Sequence, residues 1–453
     1  MRKKWSGWMW AVTIAAALAA SAGQVQAQEQ QRTQQPLRVG KEAVPAKIAF
    51  TNQGHLWLLD GRDSGALPKQ LTTDGVSEIV GWSADGKWLL YVKHSGEDTY
   101  ATPGYLWAVR ENGTGAFQVD DRPVMDQPKW SPVARQVAYF VNTGSVDNPK
   151  QLFLVKELQD SQAKEVLSTA PDFVDFSWMP DGKQLLVSTA AERNRAMALS
   201  LRDLSGKQAA SYPIAAPPNV DEGIYAWAPR AMAVSPDGAH VGYYVQYNSG
   251  SLSADGVPIQ LFDLSHPKKK STELGTGLIN PDWLTWSPDG KKLAFIEGTD
   301  RMATSGKHLK LADPSGKVIS ISQPDMVDGA PAWTRSAPYS LFFTRGKGTE
   351  YHYDPKKVMV PGQRIWQQAG DAAAKPVTQG SESTADYFPH PSPAGDEVLF
   401  VRLDTPERGS LFLSAQGKES EVLRHVTGEI GFYANYTPQW ISVYWEGKPQ
   451  PQP

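Results

Sequence analysis

The chain has 453 residues, with 45 Lys and Arg against 48 Asp and Glu and a formal net charge of −3. It contains no cysteine, which excludes disulfides, thiol catalysis and cysteine-ligated zinc. A nucleic-acid-binding protein normally shows a basic total or a basic stripe, and because this sequence has neither we expect no nucleic-acid partner.

The first 27 residues have the pattern of an export signal. A basic start at 2–4 precedes an apolar stretch at 8–20, and a small-x-small pattern follows at 25–27. This predicts a signal peptide over 1–27, cleaved after Ala27, and an exported protein of the periplasm or the extracellular space. A retained N-terminal anchor is the alternative. After cleavage we expect no stable membrane insertion, because no other segment is long and apolar enough.

Two polar segments flank the central part of the chain. Residues 28–46 are rich in Gln and poor in apolar side chains, which predicts a disordered tether. Residues 446–453 are predicted to form a short disordered tail. The folded domain is therefore expected to cover residues 47–445.

One phrase recurs along this domain and sets its organisation. Each copy combines an aromatic or equivalent residue, a turn of the Ser-Pro-Asp-Gly type and an apolar run. The marker positions are 47 to 57 residues apart, which is the span of a four-stranded blade and not of a helical repeat. The copies are GWSADGKWLLYV at 81–92, KWSPVARQVAYF at 129–140, SWMPDGKQLLVS at 177–188, AVSPDGAHVGYY at 233–244, TWSPDGKKLAFI at 285–296, AWTRSAPYSLFF at 332–343 and HPSPAGDEVLFV at 390–401.

Each copy predicts two strands joined by a tight turn. In that turn Pro presets φ, Asp bonds to its own backbone and Gly accepts a positive φ. The apolar run that follows is rich in Val, Phe and Tyr, as a buried strand is. A third strand comes next, for example YLWAVR at 105–110 and SLFLSA at 410–415, and a small glycine-containing turn then leads to a short fourth strand.

The two ends of the domain complement each other. Residues 47–72 supply the second, third and fourth strands of a blade that lacks its first strand, and TPQWISVYW at 437–445 supplies a first strand without a blade. Joining them closes a ring, which removes exposed sheet edges, and would place Trp440 where Trp82 lies in its own blade. We therefore predict an all-β fold, a monomeric β-propeller of eight four-stranded antiparallel blades. Seven or six blades are the alternatives.

The repeated tryptophans are interpreted as blade core, because large aromatic side chains are the natural filling between neighbouring blades. The residues assigned to this role are Trp82, Trp130, Trp178, Trp286, Trp333 and Trp440.

The WSPDGKKLAFI phrase and its neighbours over 81–400 resemble the repeats of TolB-like propellers, a branch of the WD-repeat-like β-propellers. The resemblance covers nearly the whole predicted mature chain and implies the fold more specifically than a function. The family includes periplasmic translocation proteins, propeller domains of prolyl-oligopeptidase-type enzymes and exported proteins of unknown role. A role in translocation is not expected, because this chain has more predicted blades and no separate N-terminal α/β domain.

No catalytic constellation stands out in the sequence. The Gly-x-Ser-x-Gly nucleophile motif of α/β-hydrolases does not occur, and the eight histidines are scattered singly rather than at metal-ligand spacing. There is no glycine-rich phosphate loop and no EF-hand loop. We accordingly expect no catalytic residues, no metal and no cofactor, although histidines from separate blades could converge.

The connections between predicted strands differ in length on the two faces of the ring. Turns between first and second strands, and between third and fourth strands, are short. The connections on the other face are long, and long loops in a compact domain are usually functional or disordered. Their aromatic and polar side chains suit recognition of a protein or carbohydrate, and for any single residue the alternative is packing of its own loop. The candidates are Tyr100, Tyr225, Trp227, Tyr247, Tyr351 and His352.

A carboxylate recurs three to five residues before most of the repeat markers. Repetition by blades would bring these side chains to one mouth of the central channel, where they could bind a cation or an amine. The alternative is that each acid caps a backbone turn. The residues are Glu78, Asp126, Asp175, Asp282, Asp328 and Asp386.

Together these patterns predict a non-catalytic extracytoplasmic propeller that binds a protein or carbohydrate of the cell envelope through its long-loop face and channel mouth. The alternative is an enzyme that acts on cell-envelope or extracellular polysaccharide, with a site assembled across blades.

Overall fold

The computed structural model describes Leu37, Gly40 and residues 43–145, 148–350, 358–431 and 433–446. The predicted signal peptide lies outside the described residues, as do most of the predicted tether and all but the first residue of the predicted tail. Within the described part the fold is all-β, as predicted: 32 strands form eight four-stranded antiparallel sheets.

The first four blades are built as follows, numbered from the blade that contains the first strand. Blade 1 holds β1 (Ala46–Asn52), β2 (His55–Asp60), β3 (Lys69–Gln70) and β32 (Ile441–Trp445). Blade 2 holds β4 (Ser77–Trp82), β5 (Trp88–His94), β6 (Gly104–Arg110) and β7 (Phe117–Gln118). Blade 3 holds β8 (Lys129–Trp130), β9 (Gln136–Asn142), β10 (Gln151–Leu158) and β11 (Ala163–Thr169). Blade 4 holds β12 (Asp175–Trp178), β13 (Gln184–Thr189), β14 (Ala198–Asp203) and β15 (Gln208–Pro213).

The other four blades repeat this order of strands. Blade 5 holds β16 (Ala226–Val234), β17 (His240–Tyr247), β18 (Val257–Asp263) and β19 (Thr272–Gly277). Blade 6 holds β20 (Leu284–Trp286), β21 (Leu293–Glu297), β22 (His308–Ala312) and β23 (Val318–Ser320). Blade 7 holds β24 (Met326–Trp333), β25 (Ser340–Lys347), β26 (Arg364–Ala369) and β27 (Lys375–Pro376). Blade 8 holds β28 (Ala385–Pro391), β29 (Glu397–Thr405), β30 (Arg408–Ala415) and β31 (Lys418–Thr427).

Helical structure is confined to short pieces of the connections. The described residues contain one α-helix, α1 (Gly250–Ala254), and two 3-10 turns, Val220–Glu222 and Pro281–Trp283. None of these is long and apolar enough to cross a membrane.

The ring closes through blade 1, which takes strands from both ends of the domain. β32 pairs antiparallel with β1, so that Ala46 lies opposite Trp445 and Phe50 opposite Ile441. This confirms the predicted closure and the count of eight blades. The domain begins slightly earlier than expected, because Val44 is buried and Ala46 is already the first residue of β1.

The repeated turn is stabilised by its own side chains, as the sequence predicts. In blade 6 the Ser287 hydroxyl donates to Asp289 over 2.7 Å and accepts from the backbone N–H of Lys292 over 3.0 Å. Gly290 has a φ of 67°, a region that disfavours other residues. The apolar residues that flank each turn then pack between neighbouring blades. One such cluster joins Leu90 of blade 2 to Tyr139 of blade 3.

The two faces of the ring differ in the length of their connections. The short-turn face carries the first-to-second and third-to-fourth turns. The long-loop face carries the second-to-third and fourth-to-first connections, including 95–103, 248–256 and 298–307. Blades 1 and 8 are the exceptions on this face, since their second and third strands are joined by only residues 53–54 and 406–407.

Candidate functional site

Five of the repeated tryptophans form a series of hydrogen bonds around the ring. In each case the indole N–H donates to a main-chain carbonyl on the innermost strand of the preceding blade. The pairs are Trp82 with Ser442 (3.2 Å), Trp130 with Gly81 (3.0 Å), Trp178 with Lys129 (3.0 Å), Trp286 with Ala233 (3.0 Å) and Trp333 with Thr285 (3.3 Å). These side chains thus join consecutive blades, and they also line the channel at the short-turn face.

Trp440 does not take the place in blade 1 that Trp82 takes in blade 2. It precedes β32 and is 1% exposed, and its indole N–H donates to the carbonyl of Glu429 over 2.8 Å. The carbonyl that accepts from Trp82 belongs to Ser442, two residues further on. The difference arises because β32 joins β1 from the other end of the chain, without the first-to-second turn that sets the register elsewhere.

Two of the predicted channel carboxylates are buried inside the blades. Asp328 accepts from Arg345 over 2.6 Å and from the backbone N–H of Leu309 over 3.0 Å. Asp386 accepts from Arg402 over 2.7 Å and from Thr378 over 2.6 Å. Both side chains are fully buried, so they hold strands together and are not open to a ligand in the channel.

The other four acids lie apart and have different partners. Asp175 is buried, pairs with Lys129 over 3.2 Å and accepts from the backbone N–H of Ala231 over 2.6 Å. Asp126 pairs with Arg230 over 3.2 Å.

Asp282 and Glu78 are the two predicted acids that lack a Lys or Arg partner among the described residues. Asp282 accepts from Gln439 over 3.1 Å, and desolvation by the surrounding protein raises the pKa of its carboxyl. Glu78 faces His94 in a separate cleft. The structure therefore does not bring the six carboxylates together in one open ring.

The predicted loop-face aromatics are also dispersed. Tyr225 and Tyr247 are half-buried and pack against different core clusters, and Trp227 is half-buried. Tyr100 is 82% exposed. Tyr351 and His352 lie outside the described residues. Of these candidates, Tyr100 alone lines the cleft that also contains Glu78.

That cleft lies where the ring closes, between blades 8, 1 and 2 on the long-loop face. It has a volume of about 1020 Å³, and we refer to it as the closure cleft. Its functional side chains are Trp57, Glu78, Tyr100, Glu407, Glu429 and Trp440.

Two tight turns leave room for the closure cleft. Gln53 and Gly54 both have positive φ, 53° and 75°, as a two-residue hairpin turn requires. Pro406 and Glu407 make an equally short connection in blade 8. Blades 2, 5, 6 and 7 carry much longer connections between their second and third strands. The loops of this face are therefore shortest at the closure cleft.

Glu78 and His94 form an ion pair at one side of the cleft. The Nε2 atom of His94 lies 3.4 Å from Oε1 of Glu78, while Nδ1 lies 3.0 Å from the carbonyl oxygen of Thr102. Burial opposes the charged ring, but the Glu78 carboxylate, the Thr102 carbonyl and the more distant Glu429 outweigh it and raise the pKa of His94.

Two further carboxylates make the cleft acidic. Glu429 accepts from the hydroxyl of Thr99 over 3.2 Å, and Glu407 lies in the short turn of blade 8. Partial desolvation, Glu429 and Glu78 together raise the pKa of the Tyr100 phenol, which shows that these groups share one electrostatic environment. Arg408 also lines the cleft, but Asp404 neutralises it over 3.0 Å.

Aromatic surface and one unsatisfied donor complete the cleft. The indole N–H of Trp57 is buried and has no hydrogen-bond partner among the described residues, and its ring stacks on Phe50 at 6.3 Å. A buried polar group without a partner is costly, and because this nitrogen atom is itself buried it is a cost within the fold and not a contact open to a ligand. Together the groups suit a ligand that carries a cation next to an apolar body.

No group of three or more His, Asp or Glu side chains in the described part of the chain is arranged to hold a metal ion.

Sequence reasoning identified Glu78 and Tyr100 but missed Trp57, His94, Glu407 and Glu429. The signal that was available is the pair of short connections, Asn-Gln-Gly at 52–54 and Thr-Pro-Glu-Arg at 405–408, in a face whose other connections are long.

Comparison with known sequences gives a distant relative and no family assignment. No family model matches the chain. An uncharacterized protein of Agrobacterium fabrum is 25% identical over 276 residues, which cover 58% of this chain and 77% of that protein.

Comparison with solved structures gives propellers of low sequence identity. Dipeptidyl peptidase 4 of Porphyromonas gingivalis matches with a TM-score of 0.51 and 11% identity, over 86% of this chain and 60% of that one. Acylaminoacyl peptidase of Pyrococcus horikoshii matches with a TM-score of 0.42 and 12% identity, over 75% of this chain and 51% of that one. A structure named for TolB of Agrobacterium tumefaciens matches with a TM-score of 0.32 and 19% identity, over 58% and 86%.

The likeness to dipeptidyl peptidase 4 supports the β-propeller fold. The chain spans 51% and 60% of the lengths of the two peptidases. The prediction of a non-catalytic scaffold, with a polysaccharide-acting enzyme as its alternative, is wrong: the solved structure that the propeller resembles over 86% of its length is named for a dipeptidyl peptidase. The absence of a Gly-x-Ser-x-Gly motif from this sequence is not evidence against a part in catalysis.

Proposed function

We propose that this propeller takes part in peptide hydrolysis and that its closure cleft binds the free amino end of a peptide. The observation that carries the proposal is the grouping of Glu78, Glu407 and Glu429 with exposed Tyr100 in one large cleft. The likeness to dipeptidyl peptidase 4 over 86% of the chain supports a peptide as the ligand.

The chemistry of the cleft fits an ammonium group. A protonated amine presents three N–H donors, and hydrogen bonds between an ammonium and a carboxylate are about twice as strong as neutral ones. Clustered carboxylates also concentrate a cationic ligand near the site. The exposed ring of Tyr100 would cover an apolar side chain of the peptide.

The place of action and the wider family belong to the same proposal. The export pattern over 1–27 supports a role outside the cytoplasm. The repeated WSPDG phrases support a relationship with TolB-like propellers.

Calorimetric titration with a tetrapeptide tests the proposed amine site. We expect saturable binding of the peptide with a free amino end, and a loss of about tenfold or more in affinity when that end is acetylated or when Glu78→Gln and Glu429→Gln are combined. Glu192→Gln is the matched control, since Glu192 is an exposed acid in a connection of blade 4, outside the cleft. Equal binding of the free and acetylated peptides would contradict the proposed site.

Hydrolysis of fluorogenic coumarin amides of dipeptides tests the reaction. The sequence contains no Gly-x-Ser-x-Gly motif, so the assay uses the purified chain alone and the chain added to a cell-envelope extract. Hydrolysis by the chain alone would locate the reaction in this polypeptide. An increase in the extract that requires Glu78 and Glu429 would assign the nucleophile to a partner. No chain-dependent hydrolysis in either assay would overturn the proposal.

A further inference from the structure

A second cavity lies at the opposite end of the ring from the closure cleft. It occupies the channel at the short-turn face and has a volume of about 510 Å³. All five hydrogen-bonded tryptophans line it, so its walls are aromatic and are held in place by the inter-blade hydrogen bonds. This cavity plays no part in the proposed amine site.

The aromatic wall is interrupted where blades 7, 8 and 1 meet. Blade 8 has His390 at the repeated marker position, and blade 1 contributes Val443 and Tyr444 to the cavity. Arg335, from the first-to-second turn of blade 7, lines this gap. Its positive charge acts on both neighbours: burial and Arg335 lower the pKa of His390 to about 4, while Tyr444 is close enough to act on Arg335 in return.

Arg335 has no anionic partner. Among the described residues no carboxylate lies within ion-pair distance of its guanidinium, and the side chain donates no hydrogen bond to them. Other arginines that face the interior are paired, as Arg345 is with Asp328 and Arg402 with Asp386. Surrounding protein disfavours the cation and lowers the pKa of Arg335, yet solvent reaches the side chain through the channel.

The charged side chains that line the cavity are all positive. Lys129 is its other cationic side chain and is already paired with Asp175 over 3.2 Å. No Asp or Glu of the described chain lines the cavity. An exposed guanidinium and five indole rings thus line one cavity in which no described carboxylate supplies a counter-charge.

We propose that this channel cavity binds an organic carboxylate with an aromatic or apolar body, such as the carboxyl-terminal residue of a peptide. The carboxylate pairs with the guanidinium of Arg335 through two parallel hydrogen bonds, a geometry that planar guanidinium and carboxylate groups share. The apolar body packs against the indoles of the cavity wall, of which Trp333 is contributed by the same blade as Arg335.

Tryptophan fluorescence and calorimetry with N-acetyl-L-phenylalanine test this site. We expect saturable binding that changes the tryptophan emission, and at least about tenfold weaker binding of N-acetyl-L-phenylalanine amide, which lacks the charge. A tetrapeptide that ends in Phe, with a free or an amidated carboxyl end, distinguishes a peptide ligand from a small organic acid. Tighter binding of the free-acid peptide than of the single residue assigns the site to peptides, and the reverse assigns it to small acids.

Substitution separates the role of Arg335 from general effects of charge. Arg335→Gln should abolish the preference for the acid over the amide, and Arg335→Lys should retain part of it. Arg135→Gln is the matched control, because Arg135 belongs to the same kind of turn in blade 3 but pairs with Asp85 and does not line the cavity. Thermal melting shows whether each variant is folded. The proposal is overturned if acid and amide bind the wild-type protein equally, if neither binds, or if folded Arg335→Gln retains the preference.

Discussion

The indole N–H of Trp130 donates to the carbonyl oxygen of Gly81 over 3.0 Å, a hydrogen bond between the innermost strands of blades 3 and 2. The same relationship recurs at Trp82, Trp178, Trp286 and Trp333. At these five junctions neighbouring blades are thus connected by a hydrogen bond in addition to apolar packing, so the energetic role of the indole nitrogen can be separated from that of the ring.

Trp130→Phe separates these two roles. The variant keeps an aromatic ring but leaves the Gly81 carbonyl without its donor, so we expect a loss of ~1–3 kcal/mol in the free energy of unfolding. Denaturant unfolding measures the loss. Trp57→Phe is the control, because the Trp57 indole N–H has no partner to lose among the described residues. Equal losses in both variants would show that the hydrogen bond to Gly81 contributes nothing beyond ring packing.

Truncation after Arg424 tests the closure through blade 1. The change removes β32, whose pairing with β1 joins the two ends of the ring, together with buried Trp440 and the last residues of β31, 425–427. We expect the whole propeller to melt at a lower temperature and with a broader transition, because every blade depends on its neighbours. An unchanged cooperative transition in calorimetry would contradict closure through β32.

Asp328 and Arg345 form a fully buried ion pair whose two members depend on each other. Removing one charge leaves the other buried without compensation, so Asp328→Asn alone should cost about 3–5 kcal/mol of unfolding free energy. The double variant Asp328→Asn with Arg345→Met should lose less than the sum of the two single variants. A double-mutant cycle measures this coupling, and strict additivity would show that the pair does not act as a unit.

The raised pKa of His94 predicts how stability depends on pH. Pairing with Glu78 favours the charged ring in the folded protein, so the folded pKa exceeds the unfolded value of about 6.5. The stabilisation is fully present below the unfolded pKa and is lost as pH rises through the folded pKa. Unfolding free energies measured between about pH 6 and about pH 9 should therefore fall more steeply for the wild type than for His94→Gln. Identical slopes would contradict the ion pair.

The same proton links His94 to the proposed amine site. When His94 loses its charge, Glu78 becomes available to a ligand ammonium, so affinity for a peptide amino end should rise with pH through this titration. It should fall again as the ligand amine, with a pKa near 7.7–8.0, becomes neutral. In His94→Gln the rising part should disappear while the falling part remains.

Much of the fold could be predicted because each blade repeats the same local sequence pattern of turns and strands. The Ser-Pro-Asp-Gly turns, the apolar runs, the three-strand blade at the start of the domain and the lone strand at its end lead to eight blades without any knowledge of distant contacts. The position of Trp440 could not be predicted in this way, since β32 lacks the turn that sets register in the other blades.

The candidate site was less accessible from the sequence for a physical reason. A similar distance in sequence between each acid and its repeat marker suggested that six carboxylates face one mouth of the central channel. The position of each carboxylate is decided instead by its partners on other strands. Arg345 and Arg402 bury Asp328 and Asp386, whereas Glu78 meets only His94 and stays open. The inner strands also contain bulges, between Ile79 and Gly81 for example, which break the equivalence of positions.

The two-residue turns at 53–54 and 406–407 make the connections of the long-loop face shortest in the first and last blades, which adjoin each other. A ligand in the closure cleft therefore touches residues from both ends of the domain, such as Trp57 and Glu429, at once. Such a ligand bridges the junction between the first and last blades, which is the junction that force applied to the two termini would separate. Occupancy of the cleft should accordingly raise the mechanical resistance of the whole ring, since binding to the closed state alone shifts the equilibrium away from the open one.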